Sequence, residues 1–205
     1  SGGFFGPELR FAGYDHLVIQ GRSSSPIYLW IHDGIIEFRE AAHLKDYDLP
    51  HTLDAIRAEL GDQDIQVAAI GPGGRRRVVF ANVMCTIGDA AGRTGMGTVM
   101  GSKNLKAIVA YGANDVPVYD SGIVKNLPKE YGAQINKIAE NFRKYGTAGG
   151  LSVSEAMGTL PIENWKFVGR WEESAAKING FTMAETVLSG RYFCDACILG
   201  CGRVV

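Results

Sequence analysis

The sequence predicts an α+β chain: an antiparallel, β-rich region over residues 1–113, then the start of an α-helical region over 114–205. Three observations predict it. Short β-branched and aromatic runs separated by turn residues crowd the first half. Apolar residues at helical spacing take over in the second. Between the two, Gly112 to Gly122 carries Asn114-Asp115 and Pro117, a composition suited to a boundary.

In chain order, His16 to Gln20, Ile27 to Ile31 and Ile35 to Arg39 read as strands. Asp33-Gly34 is a two-residue hairpin signal between the last two. From Pro50 to Leu60 the period changes: Leu53, Ile56 and Leu60 fall on one helical face, and Gly61 supplies the stop. Strands return at Ile65 to Ile70 and Val78 to Val83, with Gly71-Pro72-Gly73-Gly74 turning between them, and again at Leu105 to Tyr111. In the second region Ile135, Ile138 and Phe142 mark a helix between Pro128 and Tyr145, ended by Gly146. Ser152 or Ser154 is the expected cap of a short helix through Met157, and Thr182 to Leu188 forms another.

A chain of 205 residues with 46% hydrophobic and 21% charged residues has the composition of an ordinary globular protein of one large or two small domains. Its net charge of −1 gives no reason to expect nucleic acid or an anionic membrane as the main partner. The run Arg75-Arg76-Arg77, beside a glycine-rich turn, reads as a solvated hairpin rim. No stretch approaches the roughly 18 apolar residues that span a bilayer. With no signal-peptide pattern, the expected compartment is the cytoplasm. The chain opens on Ser1-Gly2-Gly3-Phe4-Phe5-Gly6 without an initiator Met and stops four residues after its last cysteine, so both ends read as cut.

Four cysteines, three of them within eight residues, suit a metal site better than a secreted disulfide framework. Cys194, Cys197 and Cys201 follow a C-x2-C-x3-C spacing, which in a tight turn lets three sulfurs converge as iron–sulfur ligation requires. Phe193, Ile198 and Leu199 are placed to shield such a cluster, and Gly200 and Gly202 permit the bends. Spacing alone leaves iron–sulfur, structural zinc and incidental or redox cysteines all open. The fourth ligand is Cys85, a residue of another chain or one outside this sequence; by its apolar neighbours Cys85 reads as a buried free thiol.

The run Asp89 to Lys106 places glycines at 92, 95, 97 and 101, with Arg93 and Lys103 as counter-charges. Such a loop exposes backbone N–H groups and admits a phosphate closely. It is neither a P-loop, which needs Gly-Lys followed by Ser or Thr, nor a dinucleotide fingerprint, since position 100 is Met. The alternative is a glycine-rich connection that binds nothing.

The stretch Ala90-Ala-Gly-Arg-Thr-Gly-Met-Gly-Thr-Val-Met-Gly-Ser-Lys-Asn-Leu-Lys-Ala-Ile108 is similar to the signature of the aldehyde ferredoxin oxidoreductase family. So are the opening Gly2 to Asp15, the segment Gly158-Thr-Leu-Pro-Ile-Glu-Asn-Trp165 and the cysteine triplet, in the family's order and over essentially the whole chain. The resemblance implies a tungsten or molybdenum ion held by two pterins, a 4Fe-4S cluster nearby, and a magnesium ion bridging the pterin phosphates. It implies oxidation of a small aldehyde to a carboxylic acid, with electrons leaving to ferredoxin or another low-potential acceptor, and it allows a homodimer. Residues 1–113 would be the later part of the β-rich pterin-base domain, and 114–205 the start of the helical second domain, ending in the cluster loop.

Carried over residue by residue, Cys194, Cys197 and Cys201 would be three cluster ligands. The backbone oxygen of Ala90 would hold magnesium, Gly92 and Arg93 would line a pterin phosphate, and Gly2 would approach the other pterin. Relatives often carry Arg at the position of Asp89, and many carry Pro at that of Ile198. The second magnesium contact would precede Ser1, and the fourth cluster cysteine and the catalytic acid or base would lie beyond Val205. Some relatives reduce aromatic thioesters instead. Other readings are a non-catalytic iron–sulfur electron-transfer protein and a zinc module.

Overall fold

The computed structural model describes residues 1–86, 88–169 and 171–205. The chain divides into two units, Ser1–Pro117 and Val118–Val205.

The first unit is a six-stranded sheet with helices on both faces. It comprises α1 (Phe5–Phe11), β1 (Ile27–His32), β2 (Ile35–Glu40), α2 (Leu49–Leu60), β3 (Gln66–Ala69), α3 (Pro72–Arg75), β4 (Val83–Cys85), β5 (Asp89–Ala91), α4 (Met96–Ser102) and β6 (Leu105–Tyr111). The strand order is β2-β1-β6-β3-β4-β5, and every neighbouring pair is antiparallel except β1 and β6. The β1–β2 hairpin turns on Asp33 and Gly34, both at positive φ, as a two-residue turn between right-twisting strands requires.

Alternation along the strands builds two cores. Tyr28, Val67, Ala69, Ala107 and Val109 meet Leu53 and Ile56 of α2 on one face. Leu29, Ile31, Ala68 and Leu105 meet Phe5 and Leu9 of α1 and Met100 of α4 on the other. Helix α2 starts on Asp48, whose carboxylate accepts from the backbone N–H of His51 at 3.1 Å, and stops on Gly61 at φ 70°.

Two expected strands are absent. Leu17 and Ile19 pack against the second core, yet residues 16–20 join no ladder. Residues 71–82 form α3 and tight turns instead of a turn and strand, because Val78 N–H returns to Gly73 O and Ala81 N–H to Val78 O. Val79 and Phe80 are consequently exposed, and Arg75–Arg77 edge a helix and turn, not a hairpin. The place beside β3 goes to the shorter β4.

The second unit is helical: α5 (Ser121–Ile138), α6 (Glu140–Tyr145), α7 (Leu151–Ala156), α8 (Glu172–Ile178) and α9 (Gly180–Thr186), followed by the two-stranded pair β7 (Gly190–Tyr192) and β8 (Gly202–Val204). Helix α5 begins before Pro128, on Asp120, whose carboxylate accepts from Gly122 and Ile123 N–H. Neither Ser152 nor Ser154 caps α7; Gly150 stands there, and Ser152 Oγ instead accepts from Asn179 Nδ2 at 3.1 Å. Trp165 is 57% exposed, and its Nε1 donates to Thr159 O at 3.3 Å. Among the described residues no helix is long and apolar enough to cross a membrane.

Candidate functional site

The glycine-rich run starts on the sheet edge. Residues Asp89–Ala91 form β5, the outermost strand, with Ala90 opposite Met84 and exposed. An edge strand has one row of backbone N–H and C=O groups without a strand partner, so carbonyl oxygen is available there to a hard cation. The chain then turns through Gly92 and Arg93, both exposed, and reverses at Thr94 and Gly95 with φ of 68° and 70°. Arg93 has no carboxylate partner among the described residues, and a Cβ built on Gly92 meets nothing within 4 Å.

The other three glycines do different work. A Cβ on Gly95 would lie 2.2 Å from Val79 O, on Gly97 2.2 Å from Asn82 O, and on Gly101 2.0 Å from Gly74 O. They let α4 lie directly on the backbone of 74–82. In sequence the run reads as a loop that admits phosphate or as a connection that binds nothing; in the structure Gly95, Gly97 and Gly101 serve chain packing and Gly92 is the open one. The same packing explains why 78–82 is not a strand, since its backbone is the seat of α4.

Gly2 is exposed at the head of α1, and Gly3 behind it is buried at φ 81°. The opening motif is pinned to the end of β6: Glu8 Oε1 accepts from Gly112 N–H at 2.8 Å. Phe5 and Leu9 of α1 share one hydrophobic cluster with Ala91 and Met100. Gly2 and the Gly92–Arg93 turn therefore flank elements packed on the same sheet face, although they are 90 residues apart in sequence.

In the second unit, β7 and β8 close the loop that carries Cys194, Cys197 and Cys201, all free and half-buried. Ala196 and Gly200 turn it at φ of 51° and 57°. Backbone N–H groups of Gly200, then Leu199 and Cys194, hold the Cys197 thiol below its usual pKa, which favours the thiolate that binds metal. Among the described residues no group of three or more His, Cys, Asp or Glu side chains is disposed to hold a metal ion, so the convergence of three sulfurs expected from the spacing is not formed in this structure. The loop suits a soft metal by donor type, by the N–H groups directed to the Cys197 sulfur and by partial exposure, and not by the positions of its three sulfurs. Cys85 is a buried free thiol in the core of the first unit, 6% exposed.

Sequence reasoning overlooks Arg203. Its guanidinium donates to Cys201 O at 3.2 Å, Gly200 O at 2.6 Å, Arg143 O at 3.0 Å and Lys144 O at 3.0 Å, tying the cysteine loop to the end of α6. A Cβ on Gly146, which ends α6, would lie 2.6 Å from Cys201 O, so glycine permits this approach. The available signal is an arginine two residues after the last cysteine.

An open glycine–arginine turn at a sheet edge and a clamped loop of three thiols carry the donor chemistry of a cofactor- and metal-binding protein. The comparisons make the class specific. Residues 1–112 match a model of the aldehyde ferredoxin oxidoreductase N-terminal domain, and residues 123–205 match one of its domains 2 and 3. The chain is 41% identical over its whole length to a tungsten-containing aldehyde ferredoxin oxidoreductase of Pyrococcus abyssi and 38% identical to that of Pyrococcus furiosus. It covers 34% of each, so it spans about a third of the length of these curated relatives. Among solved structures, the active-site complex BamBC of benzoyl coenzyme A reductase with 1,5-dienoyl-CoA superposes with a TM-score of 0.76 at 30% identity, over 100% of this chain and 33% of that one. The chain belongs to the aldehyde ferredoxin oxidoreductase family.

Proposed function

We propose that the protein containing this chain oxidises small aldehydes to carboxylic acids at a tungsten (or molybdenum) bis-pterin centre and passes the electrons through a 4Fe-4S cluster to ferredoxin or a similar acceptor. The bound metal–pterin centre and cluster supply the redox chemistry. The residues of this chain bind and orient. Arg93 supplies positive charge to a pterin phosphate, and Gly92 leaves room for its approach. The carbonyl of Ala90, on the sheet edge, is a hard oxygen ligand for a bridging magnesium. Gly2 gives the second pterin a close approach. Cys194, Cys197 and Cys201 supply three thiolates to the cluster, and Arg203 holds their loop in place.

One observation carries this reading most directly: both family domains match in a single chain that also holds the open Gly92–Arg93 turn and the thiol loop. The test is anaerobic purification of the full-length protein, metal and pterin analysis, and an aldehyde-dependent dye-reduction assay. Tungsten or molybdenum with pterin and about four irons per chain, together with turnover, is the expected result. Iron without pterin would leave an electron-transfer protein, and zinc alone a structural module. The likeness to the benzoyl coenzyme A reductase complex favours a second reading, reduction of an aromatic thioester. Turnover of benzoyl-CoA without aldehyde oxidation would select it.

A further inference from the structure

A second basic site lies in the first unit. Arg22, Lys45, Arg75, Arg77, Asn104 and Lys106 line a cavity of about 430 Å³ between the 20–26 loop, α3 and the start of β6. Of its five cations, Arg75 alone has a carboxylate partner among the described residues, Asp46 at 2.9 Å. Counting Asp46 and Asp48, whose charges both act on Lys106, the net charge around the cavity is +3.

Exposed arginines on their own would be a solvated face. Lys106 separates this group from one. It is 3% exposed, and its Nζ donates to Tyr47 O at 2.7 Å and Ile70 O at 2.8 Å, which leaves one of its three donors unused. Burial depresses its pKa to about 8, so near neutral pH it still carries a charge that no carboxylate contacts. Asp48 and Asp46 act on it only at a distance, and a buried cation without an anion in contact is costly.

The walls are built, not loose. Lys103 Nζ donates to Gly21 O at 3.1 Å and Asn104 Nδ2 to Ser23 O at 2.7 Å, while Ser23 N–H returns to Lys103 O at 3.1 Å. These bonds fix the loop on either side of Arg22. Arg77 and Asn104 both hold positive φ, 59° and 56°. An arginine at such a position keeps a strained backbone where glycine would relax it, a pattern that points to use of the side chain.

We propose that this cavity binds an anionic phosphorylated ligand of the diphosphate class, separately from the Gly92–Arg93 turn. A surplus of three positive charges matches a diphosphate better than a single monoanion, and the arginine forks suit phosphate oxygens. Calorimetric titration of the full-length protein with inorganic pyrophosphate, at about 0.15 M salt to screen diffuse attraction, is the test. Saturable binding, weakened about tenfold or more by Arg22→Gln and by Arg77→Gln with melting temperature unchanged, is expected. That factor corresponds to one charge-assisted hydrogen bond at the low end. No saturable binding, or binding that both variants leave intact, would overturn the proposal. So would binding lost in Arg93→Gln but retained in Arg22→Gln, which would assign it to the Gly92–Arg93 turn.

Discussion

Arg191 and Arg203 lie directly opposite each other across the antiparallel pair that closes the cysteine loop. Like charges facing across a ladder are unfavourable, and here they flank three thiols. Arg203 is saturated by backbone carbonyls, and Arg191 lies over the ring of Phe193 at 5.2 Å. Negative charge gathered on the loop would offset the repulsion.

Arg203→Gln should therefore loosen the loop. It removes most of four hydrogen bonds, and the expected loss is about 2–3 kcal/mol of stability, read by urea unfolding. Iron content per chain should fall with it, while Arg203→Lys, which keeps the charge but not the fork, should fall between. Unchanged iron content and stability in Arg203→Gln would show that the clamp is dispensable.

The glycines of α4 should separate into two kinds. Gly97→Ala and Gly101→Ala place a methyl about 2 Å from a backbone oxygen, as the contacts with Asn82 O and Gly74 O require. Each should cost about 1–3 kcal/mol or more. Gly92→Ala meets open space and should stay within about 0.5 kcal/mol. Thermal melts of the three variants give the comparison.

Lys106 gives a defined pH dependence. The unfolded lysine keeps its proton to about 10.5, whereas the native one, desolvated by burial, loses it at about 8. Between these values the unfolded state binds more protons, so stability should rise with pH. Tyr28 limits the window: burial first, then its bond to Glu59, raises its pKa, so above about 10 it acts in the opposite direction. Urea midpoints from pH 8 to pH 10 should climb, and the climb should shrink in Lys106→Met.

The cysteines should also divide. Serine at Cys194, Cys197 or Cys201 should lower bound iron in the full-length protein, whereas Cys85→Ala should leave it unchanged and cost about 1 kcal/mol through lost packing. Iron lost on replacing Cys85 would return it to the ligand set.

Several elements were legible because their signals are local. Asp33-Gly34 permits positive φ at two successive positions, so it announces its hairpin. Leu53, Ile56 and Leu60 repeat at the helical period, and Asp48 and Gly61 mark the ends. Val78 to Val83 misleads because β-branched content reports how well a residue suits a pleated surface, not whether a partner strand is free. Arg203 was not legible as a clamp, since two of the four carbonyls it meets, those of Arg143 and Lys144, become neighbours only after the chain has folded back.

By itself the sequence determined the family, the α+β class, the cysteine spacing and the basic character of the glycine-rich run, because these depend on residue type and order. Only tertiary structure decided that Gly95, Gly97 and Gly101 carry α4 on the backbone of 74–82 while Gly92 stays open. It also gathered Arg22, Lys45, Arg77 and Lys106 around one cavity. The physical reason is that steric exclusion and charge accumulation depend on distances between remote segments, and sequence order does not encode those distances.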